Sequence, residues 1–311
     1  MKKSTKQVRI NFQLINKPSR QYKNLAACTV LTGLLMGCSG SNSNESVDAP
    51  KVTDETPKCA SKAPLEGSSC LRLDERDVII YTPDEEIKGI ALFLHGAPGT
   101  PQKVSGIFDA KTITEEQQLL SASPQGSNEF WGWDSLNTER GGAVDTDFIV
   151  NLITRLKAEN NITSDKVYVF GYSAGGFMGY KLACEIPEQI SAVVSLAGQF
   201  RGDFEQCTTS TPVTIHHLHS PRDTDVPMNG RVEGEIQSVD GTLAHWRQIN
   251  GCDETTEITA HPAVSALSNG TETKLWQGCI KPVRFSELNN VPHEAVYDAA
   301  ALKQIYTPIF N

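Results

Sequence analysis

Residues 165–176 read "DKVYVFGYSAGG", and the fold turns on how this stretch is taken. "DKVYVF" is apolar at both adjacent and alternating positions, the pattern of a strand buried on two faces. The following segment, "GGFMGYKLACEI" (175–186), has the composition of a helix packed on that strand. Between them lies Ser173, with glycines on either side. One reading is a set of small residues that lets helix and sheet approach closely. The other is a nucleophile raised on a sharp turn. The choice depends on partners elsewhere in the chain.

Outward from this point, strand-like and helix-like segments alternate. "DVIIYTP" (77–83), "GIALFLH" (89–95), "SAVVSLA" (191–197), "VTIHHLH" (213–219) and "VRFSEL" (283–288) read as strands. "DTDFIVNLITRLKAEN" (145–160) has apolar residues at 148, 149, 152, 153 and 156, a helical spacing. "GTLAHWRQIN" (241–250) and "AVYDAAALKQIY" (295–306) are also helical. Such alternation predicts an α/β protein with a mostly parallel sheet, helices on both faces and a single domain.

The chain has 311 residues, 39% hydrophobic and 21% charged, which is globular composition. Charge is unevenly placed. The first 37 residues carry seven basic side chains (Lys2, Lys3, Lys6, Arg9, Lys17, Arg20 and Lys23) and no acid. Beyond them stand 21 basic against 37 acidic residues, a net charge of −16. A body this acidic has no electrostatic footprint for nucleic acid.

The basic start precedes the apolar run "LAACTVLTGLLMG" (25–37) and then Cys38. A charged start, a short apolar core and small residues at the end make a secretory signal, too short to span a bilayer comfortably. "LLMGCS" resembles the bacterial lipoprotein box, which implies lipidation at Cys38. Ser39 after it fits outer-membrane sorting. The expected organisation is a signal peptide at 1–37, a polar tether at 38–57 and a catalytic domain at 58–311. The protein is then exported and held to a membrane by its lipid, on the periplasmic or cell-surface face.

Of eight cysteines, Cys28 lies in the signal and Cys38 carries the lipid, leaving six and no C-x-x-C pair. In an oxidising compartment these form disulfides. Sequence proximity favours Cys59–Cys70, Cys184–Cys207 and Cys252–Cys279.

A G-x-S-x-G turn between strand and helix is the nucleophile elbow of α/β-hydrolases. Gly171 and Gly175 permit the turn, and Gly176 permits the helix to approach the sheet. A serine hydroxyl requires a base, and the base a carboxylate. In this arrangement the chain order is serine, acid, histidine. His216, His217 and His219 lie inside a strand, ahead of where the acid belongs, and read as sheet packing rather than a metal site. His217 and His219 share one face there, and His216 points the other way. His245, beside Trp246 in a helix, reads as structural. His261 closes a segment without clear periodicity. His293, in "LNNVPHE" (288–294), falls in a loop between the last strand and last helix, where a base belongs. "SPRDTDVP" (220–227) offers both Asp223 and Asp225 as the acid. The oxyanion requires two N–H donors. Ala174 supplies one, and Ala97 in "FLHGAPGT" (93–100) is the candidate for the other.

Five segments, in order, resemble the secreted polyhydroxybutyrate depolymerase and feruloyl esterase group of α/β-hydrolases. They are "LFLHGAPGT", the elbow region "DKVYVFGYSAGGFMGYKLACEIPEQISAVVSLAG", "HSPRDTDVP", the pair "WRQINGC" and "LWQGC", and the histidine after the last strand. The resemblance runs from about residue 88 to the end. It implies Asp223 as the acid, supports Cys252–Cys279, and implies a Ser173–His293–Asp223 esterase with no cofactor. Three departures stand out. Ser220 replaces the glycine that usually follows the strand histidine, "NVPHEAV" lacks the family's tryptophan, and Tyr172 replaces a common leucine. Tyr172, Trp131 and Trp133 are candidates for the substrate pocket. The expected substrate is a small or oligomeric hydroxyalkanoate ester. A feruloyl or acetyl ester on plant polysaccharide is the alternative, and a non-catalytic ligand-binding lipoprotein is the alternative from a different class.

Overall fold

The structure, a computed structural model, describes residues 65–132 and 142–311. Among these residues ten strands form one sheet: β1 Ser69–Leu73, β2 Arg76–Tyr81, β3 Ile90–Leu94, β4 Leu120–Pro124, β5 Val167–Tyr172, β6 Ala192–Leu196, β7 Thr214–His219, β8 Thr256–His261, β9 Thr271–Trp276 and β10 Val283–Leu288. Their spatial order is β1-β2-β4-β3-β5-β6-β7-β10-β9-β8. The six inner strands, β4-β3-β5-β6-β7-β10, run parallel. Antiparallel pairs close the sheet on both flanks. Every residue of β3, β5, β6 and β7 is buried. Strands covered on both faces have no solvent side, so they read as continuous apolar runs.

Among the described residues six α-helices cover the sheet: α1 Pro101–Phe108, α2 Ala110–Gln117, α3 Gly142–Glu159, α4 Ala174–Glu185, α5 Val239–Ile249 and α6 Ala299–Tyr306. Alternate residues of β3 divide the core. Ile90, Leu92 and Leu94 pack with Leu152 of α3, Met178 of α4 and Trp246 of α5. Ala91 and Phe93 pack with Phe108 of α1, Ile113 of α2 and Ile305 of α6. On the second face, the rings of Phe93 and Phe170 stack at 5.0 Å, and Tyr306 meets Phe170 edge-on at 5.2 Å. Each fully buried ring stabilises the layer by roughly 2 kcal/mol.

Local chemistry sets the helix starts. Thr100 caps α1, accepting from the Lys103 N–H, and Pro101 follows at the first helical position. Ser238 and Asp298 cap α5 and α6 in the same way. Disulfides join Cys184 to Cys207 and Cys252 to Cys279, two of the three expected pairs. The third includes Cys59, which lies outside the described residues, as do the signal, Cys38 and the tether. All described residues fall in one compact unit. No helix among them is long and apolar enough to cross a membrane.

Candidate active site

The turn between β5 and α4 carries Ser173 with φ 53° and ψ −117°. This is a conformation that a residue with a side chain rarely adopts. The turn survives because its neighbours lack Cβ atoms. A Cβ on Gly171 would collide with the Gly175 carbonyl, and one on Gly175 with the Leu94 carbonyl at the end of β3. The Ser173 N–H donates to Leu196 O at 2.8 Å, fastening the turn to β6. Ser173 thus stands at the carboxyl end of the parallel strands with its backbone over-determined.

Two loops bring partners to it. His293, between β10 and α6, sets Nε2 2.9 Å from Ser173 Oγ. Its Nδ1 lies 2.7 Å from Asp223 Oδ2, in the loop after β7. Asp223 Oδ1 accepts from the N–H groups of Asp225 (3.1 Å) and Val226 (2.8 Å). Asp223 is 4% exposed and His293 8% exposed. Burial pushes the Asp223 carboxyl up. Hydrogen bonds from His219, His293 and the Val226 N–H outweigh it and hold the group well below the usual carboxylate range. Asp223 is therefore ionised at neutral pH. Because that anion faces Nδ1, the Nδ1–H tautomer of His293 is favoured and Nε2 is left to accept from the serine.

The turn after β3 closes the other side. A Cβ on Gly96 would lie 3.3 Å from Ser173 Cβ and 3.1 Å from the Tyr172 ring, so only a glycine fits without displacement. Ala97 is the next residue in this turn. Ala174 is the first residue of α4, and the first N–H groups of a helix have no intrahelical acceptor. The turn is braced from beneath. His95 Nδ1 donates to Gly96 O at 2.6 Å and Nε2 accepts from the Gly126 N–H at 2.8 Å, so the ring is neutral. Burial drives its pKa down to about 4.

A sheet of this order, with a serine turn after the fifth strand and the acid and histidine on two later loops, matches known architecture. A model of the phospholipase/carboxylesterase family matches residues 132–235, a stretch that contains Ser173 and Asp223. An acetyl xylan esterase from Aspergillus awamori superposes with a TM-score of 0.54 at 20% identity, over 75% of this chain and 94% of that one. The chain has the α/β-hydrolase fold, and a third of it is similar to the phospholipase/carboxylesterase family. The poly(aspartic acid) hydrolase-1 of Sphingomonas sp. KT-1 shares the fold, with a TM-score of 0.53 at 14% identity, over 78% of this chain and 97% of that one. In sequence, a probable feruloyl esterase C of Aspergillus clavatus is 27% identical over 78% of this chain and 82% of its own length. A bifunctional acetylxylan esterase/xylanase of Neocallimastix patriciarum is 25% identical over 68% of this chain. The match spans only 30% of that larger protein.

Around this site the other expected residues separate. Asp223 meets His293, and Asp225 is exposed and supplies only its backbone N–H to Asp223. His245 stacks on Phe204 at 4.9 Å in the helical layer. His261 ends β8. Tyr172 and Trp131, expected to line a substrate pocket, are both buried. Tyr172 is 2% exposed and donates its hydroxyl to His293 O at 2.9 Å. Trp131 is 1% exposed and donates Nε1 to His95 O at 2.9 Å. Both brace the site from behind. Trp133 lies outside the described residues.

Two contributors were missed in the sequence. Ser220, the departure from glycine, accepts from the Val291 N–H at 3.0 Å and the Arg222 N–H at 3.2 Å, tying the acid loop to the histidine loop. His219, taken as sheet packing, lies 3.4 Å from Asp223 Oδ2. Its place at the end of the strand that feeds the acid loop was the available signal.

Proposed function

We propose that the chain hydrolyses carboxylic esters through a serine acyl-enzyme, and the hydrogen-bonded sequence Ser173–His293–Asp223 on the strained turn carries this reading. Ser173 Oγ attacks the ester carbonyl while His293 Nε2 takes its proton. Asp223 holds the imidazole and stabilises the imidazolium. The Ala174 and Ala97 N–H groups receive the oxyanion. As the tetrahedral intermediate collapses, His293 returns the proton to the departing alkoxide and the alcohol leaves. Water then attacks the acyl-enzyme with His293 again as base, freeing the acid and Ser173.

The relatives' names favour a feruloyl or acetyl ester carried on plant polysaccharide over the hydroxyalkanoate esters implied by the family resemblance. Two disulfides support export, because such bonds persist in oxidising compartments. Lipidation at Cys38 remains part of the proposal.

The test is a substrate panel of methyl ferulate, acetylated xylan, hydroxybutyrate oligomers and nitrophenyl acetate, assayed beside Ser173→Ala. Wild type is expected to hydrolyse at least one member and to react with a fluorophosphonate at Ser173. The variant loses both, with a rate loss of about 10⁶-fold. A wild type that turns over none of the panel and resists the fluorophosphonate overturns the reading. Turnover of hydroxybutyrate oligomers alone reverses the preferred substrate class.

A further inference from the structure

β7 reads "TIHHLH", and its period of two puts His217 and His219 on one face, beneath α4. Both rings are fully buried and stack with centroids 5.2 Å apart. A buried imidazole must place both nitrogens against suitable partners, and here each can be followed. His219 Nε2 lies 2.8 Å from Val226 O, a carbonyl that can only accept, so this nitrogen carries the hydrogen. The same N–H faces Asp223 Oδ2 at 3.4 Å. In the neutral ring Nδ1 is then bare, and His217 Nε2 donates to it across 3.1 Å. His217 Nδ1 is bare in turn and accepts from the Tyr180 hydroxyl at 2.9 Å. Burial drives the His217 pKa well below the histidine range, with the neighbouring His219 and His216 adding to the shift, so that ring stays neutral. Burial also raises the Tyr180 phenol, which keeps its proton.

The hydrogens therefore run in one direction, from α4 through two rings to the carboxylate. We propose that Tyr180, His217 and His219 are positioning residues. They form a relay that locks His219 in its Nε2–H tautomer and so holds an N–H donor against Asp223. This rests on the serine-hydrolase reading above. Were His219 to flip to Nδ1–H, its bare Nε2 would face the Val226 carbonyl and the Asp223 carboxylate together. Three acceptors would converge in a dry site, an arrangement that costs the full desolvation of the unpaired groups. Asp223 would then turn away or take up a proton, and His293 would lose its orienting partner. Tyr180 lies two turns along α4, the helix that Ser173 caps.

His216 marks the contrast. On the opposite face of the strand, its Nε2 pairs with Ser286 Oγ at 2.8 Å, and that hydroxyl meets Thr273 at 2.6 Å. It takes no part in the relay.

The test uses the whole protein with ¹⁵N-labelled histidine. Long-range proton–nitrogen spectra near neutral pH report the tautomer of each ring without any substrate. Wild type is expected to show His217 and His219 both neutral and both as Nε2–H. Tyr180→Phe, which keeps the ring and removes the hydroxyl, is expected to mix the tautomers. On nitrophenyl acetate it lowers kcat about threefold at unchanged KM, since one neutral hydrogen bond is lost. His219→Leu lowers kcat by at least about tenfold, and His219→Gln, which keeps an N–H, recovers most of the loss. A cationic His219 or an Nδ1–H tautomer in the wild type overturns the relay. So does Tyr180→Phe without effect on tautomers, or a glutamine variant no better than leucine at equal melting temperature. The spectra report on the relay even if Ser173→Ala retains full activity, an outcome that sinks the catalytic reading instead.

Discussion

The Tyr172 hydroxyl donates to the main-chain carbonyl of His293 at 2.9 Å, and the two rings stack with centroids 5.5 Å apart. The residue before the nucleophile thus anchors the backbone of the proposed base, 121 residues away in sequence. Burial raises the Tyr172 phenol far above its ordinary value, so the donor is permanent. Tyr297 reaches the same carbonyl at 3.4 Å.

Tyr172→Phe keeps the stacked ring and removes the anchor. A buried neutral hydrogen bond is worth about 1 kcal/mol, so kcat is expected to fall roughly fivefold with KM nearly unchanged. Steady-state kinetics on nitrophenyl acetate separate the two constants. A raised KM at constant kcat would instead mean that Tyr172 touches substrate.

The two aspartates of "SPRDTDVP" differ in what they face. Asp223 is buried against His293, and the side chain of Asp225 lies in solvent. Asp223→Asn presents an amide where the histidine requires an acceptor, favouring the wrong imidazole tautomer. Its kcat is expected to fall by about 10⁴-fold. Asp225→Asn keeps the backbone N–H that serves Asp223, and is expected to stay within about twofold of wild type. The reverse ranking would move the acid to Asp225.

These contrasts mark how far the sequence was legible. β5, β6 and β7 stood out because burial on both faces leaves no polar alternation to confuse. The order of serine, acid and histidine followed from the loops that end those strands. β1, "SCLRL", and β8, "TEITAH", did not announce themselves. They are edge strands with exposed, polar-rich sequences, and partner strands supply their stability. β4, "LSASP", carries small and hydroxylated residues because Ser121 and Ser123 bond to Thr114 and Ser105 on the helices above, so it lacks an apolar signature. The helices α1 and α2 were missed beside it. The burial of Tyr172 and Trp131 depends on contacts with His293 and His95 that are distant in sequence, and no periodicity encodes those. The spacing of His217 and His219 correctly placed them on one face, but their hydrogen-bond partners come from two other segments, α4 and the loop after β7.

The Cys184–Cys207 bridge joins the end of α4 to the loop after β6, across 23 residues of sequence. Closing a loop of that size removes denatured-state freedom worth about 3 kcal/mol. Replacing both cysteines by serine is expected to lower the melting temperature by roughly 5–10 °C in scanning calorimetry. The activity of the folded protein should persist, because neither sulfur touches Ser173, His293 or Asp223. An unchanged melting temperature would deny the bridge a stabilising role.

His95 gives the fold a pH dependence of definite sign. Its ring accepts from the Gly126 N–H and donates to Gly96 O, an arrangement open only to the neutral form. Burial lowers its folded pKa from the ordinary 6.5 to about 4. Above 6.5 neither folded nor unfolded chain holds the extra proton, and the stabilisation is complete. Between 6.5 and about 4 the unfolded chain takes up a proton that the folded chain refuses, so stability falls as the pH drops. The loss from His95 is on the order of 3 kcal/mol across that window. His216, lowered by burial to about 3, pulls in the same direction and extends the fall to lower pH. Thermal melts between pH 7 and pH 4.5 are expected to show a descending melting temperature in wild type and a shallower descent in His95→Gln, whatever the variant's absolute stability. Parallel slopes for the two proteins would mean that His95 is not held neutral, and the bracing of the Gly96 turn would have to be reassigned.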